Sequence, residues 1–373
     1  MKTGYKGNDM ANEKPRILYV VEAMGGGVFS YLVELCNELI ETYDIYIAHG
    51  IRKETPLDYK DYFDQRIHLI KVNHFCRSIN PVKDIRASLE VKSIARKIAP
   101  DIIHLHSSKA GAIGRIVFDG KKIPLFYTPH GYSFLMTDCS SLKRVLYKGV
   151  EVLLGKRKCM TISCGEGEHK ETLKLTSNAD YVNNGINITS LQSMTAKTSI
   201  DPEHQFTVFT LGRICSQKNP KLFNQIAEAM PDINFLWIGD GELRSELKSP
   251  NIHVTGWLEK DEAVKKSMQS DVFILTSLWE GLPISILEAM YMKKLCIVHI
   301  AVGNREIIHE GKNGFVCHSV EDFVEKISVA RNSNVQALVD NAYADVIEKY
   351  SAIVMARNYN NLYQKKIKKN ARC

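Results

Sequence analysis

Two basic and two acidic side chains in the second half of the chain have the types and spacing of a site for an anion and a sugar. Arg213 and Lys218 follow a predicted strand and precede a predicted helix. Glu280 and Glu288 flank the start of another predicted helix, with seven residues between them. Cations beside a helix N-terminus suit a pyrophosphate, and carboxylates accept hydrogen bonds from sugar hydroxyls. The pattern favours a nucleotide-sugar site; a structural pair of glutamates beside a solvated loop is the alternative.

Backbone amides near the same strand ends would complete such a site. Gly281 and Leu282 stand just before Pro283, which is predicted in the first helical turn, so their amides lie near a helix N-terminus. Gly239 and Asp240 form a predicted tight turn after another strand. Because helix N-termini carry unpaired amides and the positive end of the dipole, the amides of Gly281 and Leu282 suit a pyrophosphate, and the Gly239–Asp240 turn lies at the ligand edge of the sheet.

The first half of the chain begins with a glycine-rich turn. Gly26 and Gly27 belong to a triple glycine that follows the first predicted strand and opens a helix. Glycines let a bound anion approach the backbone closely. The pattern lacks the last glycine of the dinucleotide fingerprint, because Ser30 stands there. A plain tight turn is therefore the alternative to an anion site.

Histidines and a lysine follow two later strands of the first half. His106, Lys109 and His130 make a predicted polar cluster on the ligand side of the sheet. Hydrogen-bonded structural histidines are the alternative. His104 and His106 could also pair as zinc ligands, because alternate strand residues share a face, although no third ligand stands at matching spacing.

The elements that must hold these residues alternate between short apolar strands and amphipathic helices. Strands are predicted at 16–21, 44–48, 101–105, 124–128, 205–211, 233–238, 272–276 and 295–298. Such alternation predicts parallel sheets, in which ligands bind beyond the carboxyl ends of the strands. A polar stretch near 183–202 separates two similar halves. We expect an α/β protein with domains at 14–185 and 200–349, and a helix and basic tail at 350–373 that cross back to the first domain.

The composition is that of a folded protein of about two domains. The chain has 373 residues, 45% of them apolar and 24% charged, with a net charge of +7. No apolar run reaches the roughly 20 residues of a membrane-spanning helix, and the polar segment 1–16 does not have the pattern of a secretory signal. Nine cysteines without a C-x-x-C pair predict a reduced, cytoplasmic protein. The chain has no D-x-D motif, so we expect a metal-independent reaction without a cofactor.

These segments resemble the motifs of retaining glycosyltransferases of family 4, which have the GT-B fold of two Rossmann-like domains facing a central cleft. The resemblance is carried by E-G-L-P-I-S-I-L-E-A-M at 280–290, G-R-x-x-x-x-K at 212–218, I-G-D-G-E-L at 238–243 and N-G-I at 184–186. It spans roughly 16–350 and is stronger in the second half. One departure is V-G-N-R-E at 302–306, where the family commonly has G-G-x-x-E.

The resemblance implies a nucleotide-diphosphate sugar held mainly by the second domain. Arg213 and Lys218 would contact the pyrophosphate, and Glu288 the ribose. Glu280, with the amides of Gly281 and Leu282, would contact the transferred sugar. The leaving phosphate would help to deprotonate the acceptor, in preference to a route with Glu280 as nucleophile.

The resemblance also assigns residues at the edges of this site. His130, in T-P-H-G, would reach the donor sugar as a fourth catalytic residue beside Glu280, Arg213 and Lys218. The rest of the donor side would be formed by Gly212, Gly239, Asp240 and Asn304. The acceptor and phosphate side would be formed by Gly26, Gly27, His106 and Lys109.

Two segments of the first half narrow the class. H-S-S-K-A-G at 106–111 and T-P-H-G-Y at 128–132 resemble members that build bacterial surface polysaccharides, often from UDP-N-acetylhexosamines and polyprenyl-diphosphate-linked acceptors. We therefore expect transfer of a hexose or N-acetylhexosamine from a UDP donor to a lipid-linked glycan. The alternatives are a nucleotide-sugar 2-epimerase of the same fold and a non-catalytic nucleotide-sugar-binding subunit.

The positive charge is concentrated in two segments. Residues 143–158 carry six basic side chains and one acid among apolar residues, and 365–372 carry five basic side chains and no acid. Such clusters favour an anionic membrane surface, so we expect contact through 142–158 and 365–372 at the inner face of the cytoplasmic membrane. A core-packed helix and a solvated tail are the alternatives. Nucleic acid is not an expected partner, because no reader motif accompanies the charge.

Overall fold

The computed structural model describes residues 14–22, 24–52, 55–76, 78–136, 140–199, 201 and 203–370, and it shows two domains, each built on a parallel sheet. The first sheet has seven strands: β1 (Arg16–Val21), β2 (Asp44–His49), β3 (His68–Lys71), β4 (Ile102–His106), β5 (Leu125–Thr128), β6 (Met160–Ser163) and β7 (Ala179–Tyr181). Their order is β3-β2-β1-β4-β5-β6-β7. The first strand begins and ends where the sequence predicts.

Among the described residues, the second sheet has six strands and repeats this arrangement. They are β8 (Thr207–Leu211), β9 (Asn234–Ile238), β10 (Ile252–Val254), β11 (Val272–Leu275), β12 (Leu295–His299) and β13 (Phe315–Cys317), in the order β10-β9-β8-β11-β12-β13. In both sheets the strand order reverses beside the first strand, which is where ligands bind in doubly wound sheets. The predicted two-domain α/β architecture is confirmed.

Helices cover both faces of the sheets. They are α1 (Gly26–Leu39), α2 (Pro81–Ile98), α3 (Ser108–Val117), α4 (Ser141–Gly155), α5 (Glu166–Leu173), α6 (Ile188–Ala196), α7 (Pro220–Ala229), α8 (Lys260–Met268), α9 (Ile284–Tyr291), α10 (Val302–Ile307), α11 (Val320–Asn332), α12 (Gln336–Lys349) and α13 (Ala352–Asn370). The prediction that Pro283 lies in the first turn of α9 is wrong by one residue. Its extended ψ of 120° makes it the N-cap.

The two faces of the first sheet bury different helices. Tyr19 packs in a core with α1 and α13, whereas its neighbours Leu18 and Val20 pack in a core with α2 and α3. Successive strand residues point to opposite faces, so this alternation places α13 on the face away from α2 and α3.

The last helix leaves the second domain and packs on the first. The hydroxyl of Tyr363 lies 2.6 Å from His104 Nδ1 and 3.3 Å from the hydroxyl of Tyr19. The other nitrogen of His104, Nε2, lies 2.9 Å from Thr128 Oγ1. All four side chains are buried, so each polar group depends on these partners for its hydrogen bonds.

The chain passes between the domains twice, and the two crossings lie side by side. Ile186 donates its amide to the carbonyl of Tyr350 at 2.9 Å and accepts from the amide of Ala352 at 2.8 Å. A Cβ at Gly185 would lie 2.3 Å from the carbonyl oxygen of Ser351, so this position requires glycine. The N-G-I segment therefore forms one edge of the connection between the domains.

A buried ion pair fixes the rotation of α4. Glu151 lies 2.9 Å from Arg115 of α3 and accepts a 3.0 Å hydrogen bond from Tyr127 of β5. Because Glu151 faces inward, the opposite side of α4 faces solvent and carries Leu142 and Leu153, which are 80% and 65% exposed. The core-packed alternative for this helix is wrong.

No helix within the described ranges is both long enough and apolar enough to cross a bilayer.

Replacing Tyr363 by Phe is expected to lower the free energy of unfolding by about 1–3 kcal/mol, because His104 and Tyr19 lose a buried hydrogen-bond partner. Urea unfolding of the whole chain measures the effect. The matched control is Tyr181→Phe at a position that is 41% exposed, for which about 0.5 kcal/mol or less is expected. Equal losses in the two variants would contradict a structural role for the hydroxyl of Tyr363.

Candidate active site

The predicted cation and carboxylate of the second domain form a direct pair. Lys218 Nζ lies 2.7 Å from Glu280 Oε1, and Gln217 Nε2 lies 3.1 Å from Glu280 Oε2. The two loops are also joined through Thr276, whose hydroxyl donates to the carbonyl of Lys218 at 2.6 Å. Arg213 is half-buried in the same loop as Lys218. Both oxygens of Glu280 are thus held by polar neighbours, in a loop that precedes α9.

Two glycine turns of the second domain pack against each other next to Lys218. Gly212 and Gly239 have φ values of 139° and 138°, and a Cβ at Gly239 would lie 2.3 Å from the carbonyl oxygen of Gly212. Asp240 accepts a 2.8 Å hydrogen bond from the amide of Gly241. These contacts explain the residue types structurally, while the predicted donor contacts of Gly212, Gly239 and Asp240 stay predictions.

Glu288, the second predicted carboxylate, also lies near a lysine, which the sequence did not identify as part of the site. Glu288 Oε1 lies 3.8 Å from the Nζ of Lys260, the first residue of α8. Burial raises the pKa of the Glu288 carboxyl, and the nearby Lys260 counteracts this only in part. The signal available in the sequence was weak, because Lys260 stands among four charged residues in a row at 259–262.

His130 presents its backbone to the cleft rather than its ring. Its φ of 55° is left-handed, and its imidazole is turned into the first domain. Nε2 lies 2.9 Å from Nδ1 of His106, and Nδ1 lies 3.4 Å from the sulfur of Cys164. Burial lowers the pKa of His130 to about 3, so the ring is neutral at physiological pH. His106 is fully buried against the ring of His130, and its predicted acceptor contact stays a prediction.

Glu168 holds the His130–Gly131 turn in place, a role that no sequence motif indicates. Its Oε1 accepts the amide of Gly131 at 2.6 Å, and its Oε2 accepts the amide of Cys164 at 2.8 Å. Burial raises the pKa of this carboxyl, and the two backbone donors counteract the rise. In the sequence, Glu168 stood out only as part of the E-G-E segment nearest to a D-x-D motif.

The two domains meet at glycines. A Cβ at Gly281 would lie 3.3 Å from the amide nitrogen of Gly131 and 3.6 Å from Oε1 of Glu168. A Cβ at Gly303 would lie 2.1 Å from the carbonyl oxygen of Gly281. The His130–Gly131 turn of the first domain and the loop before α9 of the second therefore approach each other closely enough that a side chain at Gly281 would press on the turn.

The carboxylate of Glu306, in the second domain, also contacts the first domain near this point. Glu306 of α10 points at the first turn of α5, where a Cβ at Gly165 or Gly167 would lie 2.4 or 2.1 Å from its oxygens. Burial raises the pKa of Glu306 to about 7. Asn304 is fully buried and donates to the carbonyl of His299 at 2.9 Å, while its Oδ1 has no hydrogen-bond partner.

The remaining predicted residues divide into open and occupied positions. Gly26 and Gly27 are exposed at the start of α1, and a Cβ at either would meet no atom within 4 Å, so the backbone there is open to a ligand. The side chain of Leu282 is buried, and its carbonyl accepts from Asn184 at 2.7 Å. Lys109 lies 2.8 Å from Asp84, a contact that gives it a structural role and does not support its predicted acceptor contact.

Across the described ranges, no three His, Cys, Asp or Glu side chains are grouped so that they could hold a metal ion. The zinc alternative for His104 and His106 has no support, because both nitrogens of His104 are engaged by Tyr363 and Thr128.

Comparisons with known proteins agree with this geometry. The family model described as Glycosyltransferase Family 4 matches residues 25–189, and the model described as Glycosyl transferases group 1 matches residues 205–332. An Escherichia coli UDP-Gal:alpha-D-GlcNAc-diphosphoundecaprenol alpha-1,3-galactosyltransferase is 28% identical over 334 residues, which cover 81% of this chain and 85% of the relative.

Solved structures show the same fold. Sucrose-phosphate synthase from Thermosynechococcus elongatus superposes with a TM-score of 0.78 at 14% identity, covering 94% of this chain and 99% of the other. HepE from Anabaena, in complex with UDP and glucose, superposes with a TM-score of 0.75 at 16% identity, covering 94% and 100%. The two family models leave only the ends and the linker unmatched. The chain belongs to glycosyltransferase family 4 and is a sugar-transferring enzyme.

Proposed function

We propose that this glycosyltransferase moves a hexose or N-acetylhexosamine from a UDP-sugar to a polyprenyl-diphosphate-linked glycan in surface polysaccharide synthesis, with retention of configuration. The observation that carries the proposal is the Lys218–Glu280 pair in the donor loop, which adjoins Gly131 of the other domain through Gly281. The Escherichia coli relative, whose acceptor is lipid-linked by its name, supports the acceptor class.

The chemistry follows from the charges at this position. The bond from the sugar's C1 to the β-phosphate oxygen breaks while a bond to the acceptor oxygen forms on the same face, and the acceptor proton passes to the leaving phosphate. Lys218 and Arg213 are the cations of the donor loop, and they would neutralise the charge that develops on UDP. Glu280 would hold the sugar hydroxyls. The ion pair with Lys218 and the hydrogen bond from Gln217 reduce the nucleophilicity of Glu280, which favours this role over that of a nucleophile.

Substituting the donor-loop cations is expected to cut turnover strongly. Lys218→Ala and Arg213→Ala should each lower UDP release by about 100-fold or more, because preorganised charges of this kind contribute several kcal/mol to transition-state stabilisation. The assay measures UDP release from a UDP-sugar with an undecaprenyl-diphosphate-linked acceptor. Lys221→Ala on the exposed side of α7 is the matched control, with an effect within about twofold.

The same assay separates the rival functions. UDP release that requires the acceptor supports the transferase. Isomerisation of the donor without an acceptor would establish an epimerase, and nucleotide binding without turnover would establish a non-catalytic subunit. Near-normal rates in both cation variants would contradict the assigned site.

We propose that the reaction is metal-independent, since the sequence has no D-x-D motif and Lys218 and Arg213 supply positive charge beside the donor phosphates. Turnover after EDTA treatment should stay within about twofold of that of the untreated enzyme. If Lys218 and Arg213 neutralise the leaving group, no metal ion is needed there as a Lewis acid. Loss of activity with EDTA and recovery with Mg²⁺ would overturn this proposal.

We further propose that one face of the first domain lies on the anionic inner surface of the cytoplasmic membrane. The outward side of α4 is apolar: Leu142, Val145, Leu146 and Leu153 are 80%, 69%, 58% and 65% exposed. The basic residues Lys143, Arg144 and Lys148 of the same helix are also exposed. Apolar side chains between basic ones fit an anionic bilayer surface.

A second helix extends this surface. On α2, Val82, Ile85 and Leu89 are 61–64% exposed and point away from the buried residues Ala87 and Val91. Both helices flank α3 on the same face of the sheet. A bilayer against this face would therefore contact the exposed apolar side chains of both α2 and α4.

The basic tail lies elsewhere. Helix α13 packs on the opposite face of the sheet, with α1, so a flat bilayer against α2 and α4 does not reach the middle of α13. We therefore assign the proposed membrane contact to α2 and α4 rather than to 365–372, of which Ala371 and Arg372 lie outside the described residues.

Placing charge on the outward side of α4 is expected to abolish this contact. The double substitution Leu146→Glu and Leu153→Glu should lower partitioning onto phosphatidylglycerol-containing vesicles by about tenfold or more, because apolar burial and electrostatic attraction are lost together. Vesicle co-sedimentation measures it. Ile347→Glu, at a 41% exposed position on α12 of the second domain, is the control that adds charge away from this face. Unchanged partitioning of the double variant would contradict the assignment.

A further inference from the structure

One lysine stands between carboxylates that belong to different domains. Lys260 Nζ lies 3.5 Å from Oε1 of Glu34 on α1 and 3.8 Å from Oε1 of Glu288 on α9. The side chains of Glu34 and Glu288 are only 9% and 15% exposed, and that of Lys260 is one-third exposed. The resulting cluster joins the first domain to the carboxylate assigned to the donor ribose.

The cluster is short of positive charge. A single cation faces two carboxylates in a poorly solvated position, where charge interactions are stronger than in water. Burial raises the pKa of both carboxyls, and Lys260 opposes the rise at each. If another hydrogen-bond donor binds one of the two carboxylates, Lys260 can pair fully with the other.

The residue before Lys260 makes a second contact with the first domain, at the loop between β2 and β3. The hydroxyl of Tyr62, in the first domain, donates to Oε2 of Glu259 at 3.1 Å. The start of α8 therefore touches the first domain at two consecutive positions, of which only Lys260 also touches the donor side.

We propose that Lys260 is a positioning residue that couples nucleotide binding at Glu288 to the approach of the first domain through Glu34. The inference rests on the proposed function, in which the ribose hydroxyls donate to Glu288. Those hydroxyls replace Lys260 as donors to Glu288, and the lysine then pairs with Glu34 across the cleft. Coupling between two equilibria is reciprocal. If bound nucleotide favours the approach of the first domain by a given factor, the Lys260–Glu34 contact raises the affinity for nucleotide by the same factor.

A double-mutant cycle on nucleotide affinity tests the coupling. The affinity for UDP is measured by calorimetry in the full-length wild type, Glu34→Gln, Lys260→Met and the double variant. Glu34→Gln should weaken UDP binding about fivefold or more, although Glu34 belongs to the other domain. In the Lys260→Met background the same substitution should change affinity by less than about twofold, since the path between the two carboxylates is gone.

Kinetics and controls complete the test. Glu34→Gln should raise KM for the UDP-sugar and leave KM for the acceptor unchanged, a split that a general loss of structure does not produce. Lys265→Met removes an exposed lysine of the same helix and should leave UDP affinity unchanged. Tyr62→Phe removes a cross-domain hydrogen bond without touching Glu288, and should not remove the non-additivity. Melting temperatures identify any variant that is misfolded.

The outcomes separate the two proposals. Equal effects of Glu34→Gln with and without Lys260, or no effect in either background, would overturn the coupling while the proposed function stands. A wild-type chain that binds neither UDP nor another nucleoside diphosphate would overturn the proposed function, and the coupling with it.

Discussion

The site depends on how closely two backbones approach each other across the cleft. The His130–Gly131 turn of the first domain and Gly281 of the second are in contact, and any side chain at Gly281 would press on the amide of Gly131. Helix α10 of the second domain packs on Gly281 through Gly303, where a Cβ would lie 2.1 Å from the carbonyl oxygen of Gly281. This steric constraint lets a donor held by one domain lie within reach of the other.

The first domain maintains its side of this contact with buried polar groups. Glu168 accepts the amide of Gly131, and the neutral ring of His130 is held between His106 and Cys164. Unsatisfied buried polar groups are costly, so each member of such a network fixes its neighbours. Helix α13 belongs to the same architecture, because Tyr363 reaches from the far end of the chain to His104 of β4.

Charge is distributed unevenly over the cleft. On the donor side, carboxylates are held by single lysines: Glu280 by Lys218, and Glu288 by a lysine that it shares with Glu34. The hydroxyls of a nucleotide sugar can donate to carboxylates, and its phosphates can pair with lysines. Such a ligand can therefore replace ion pairs within the protein by hydrogen bonds and ion pairs of its own. Away from the cleft, the buried Arg115–Glu151 pair turns the apolar side of α4 toward solvent.

The sequence by itself determined the alternation of strands and helices, and with it the position of Lys218, Glu280 and Glu288 at strand ends and helix starts, because hydrophobic periodicity and local motifs are properties of neighbouring residues. It could not identify Glu168, Lys260 or Glu34 as parts of one site, since their partners stand far away in the chain. His106 and Lys109 have residue types that suit a ligand, and only the structure shows that both also make contacts inside the fold. Only tertiary packing decides which polar groups face the cleft, because burial and hydrogen-bond geometry depend on contacts between elements.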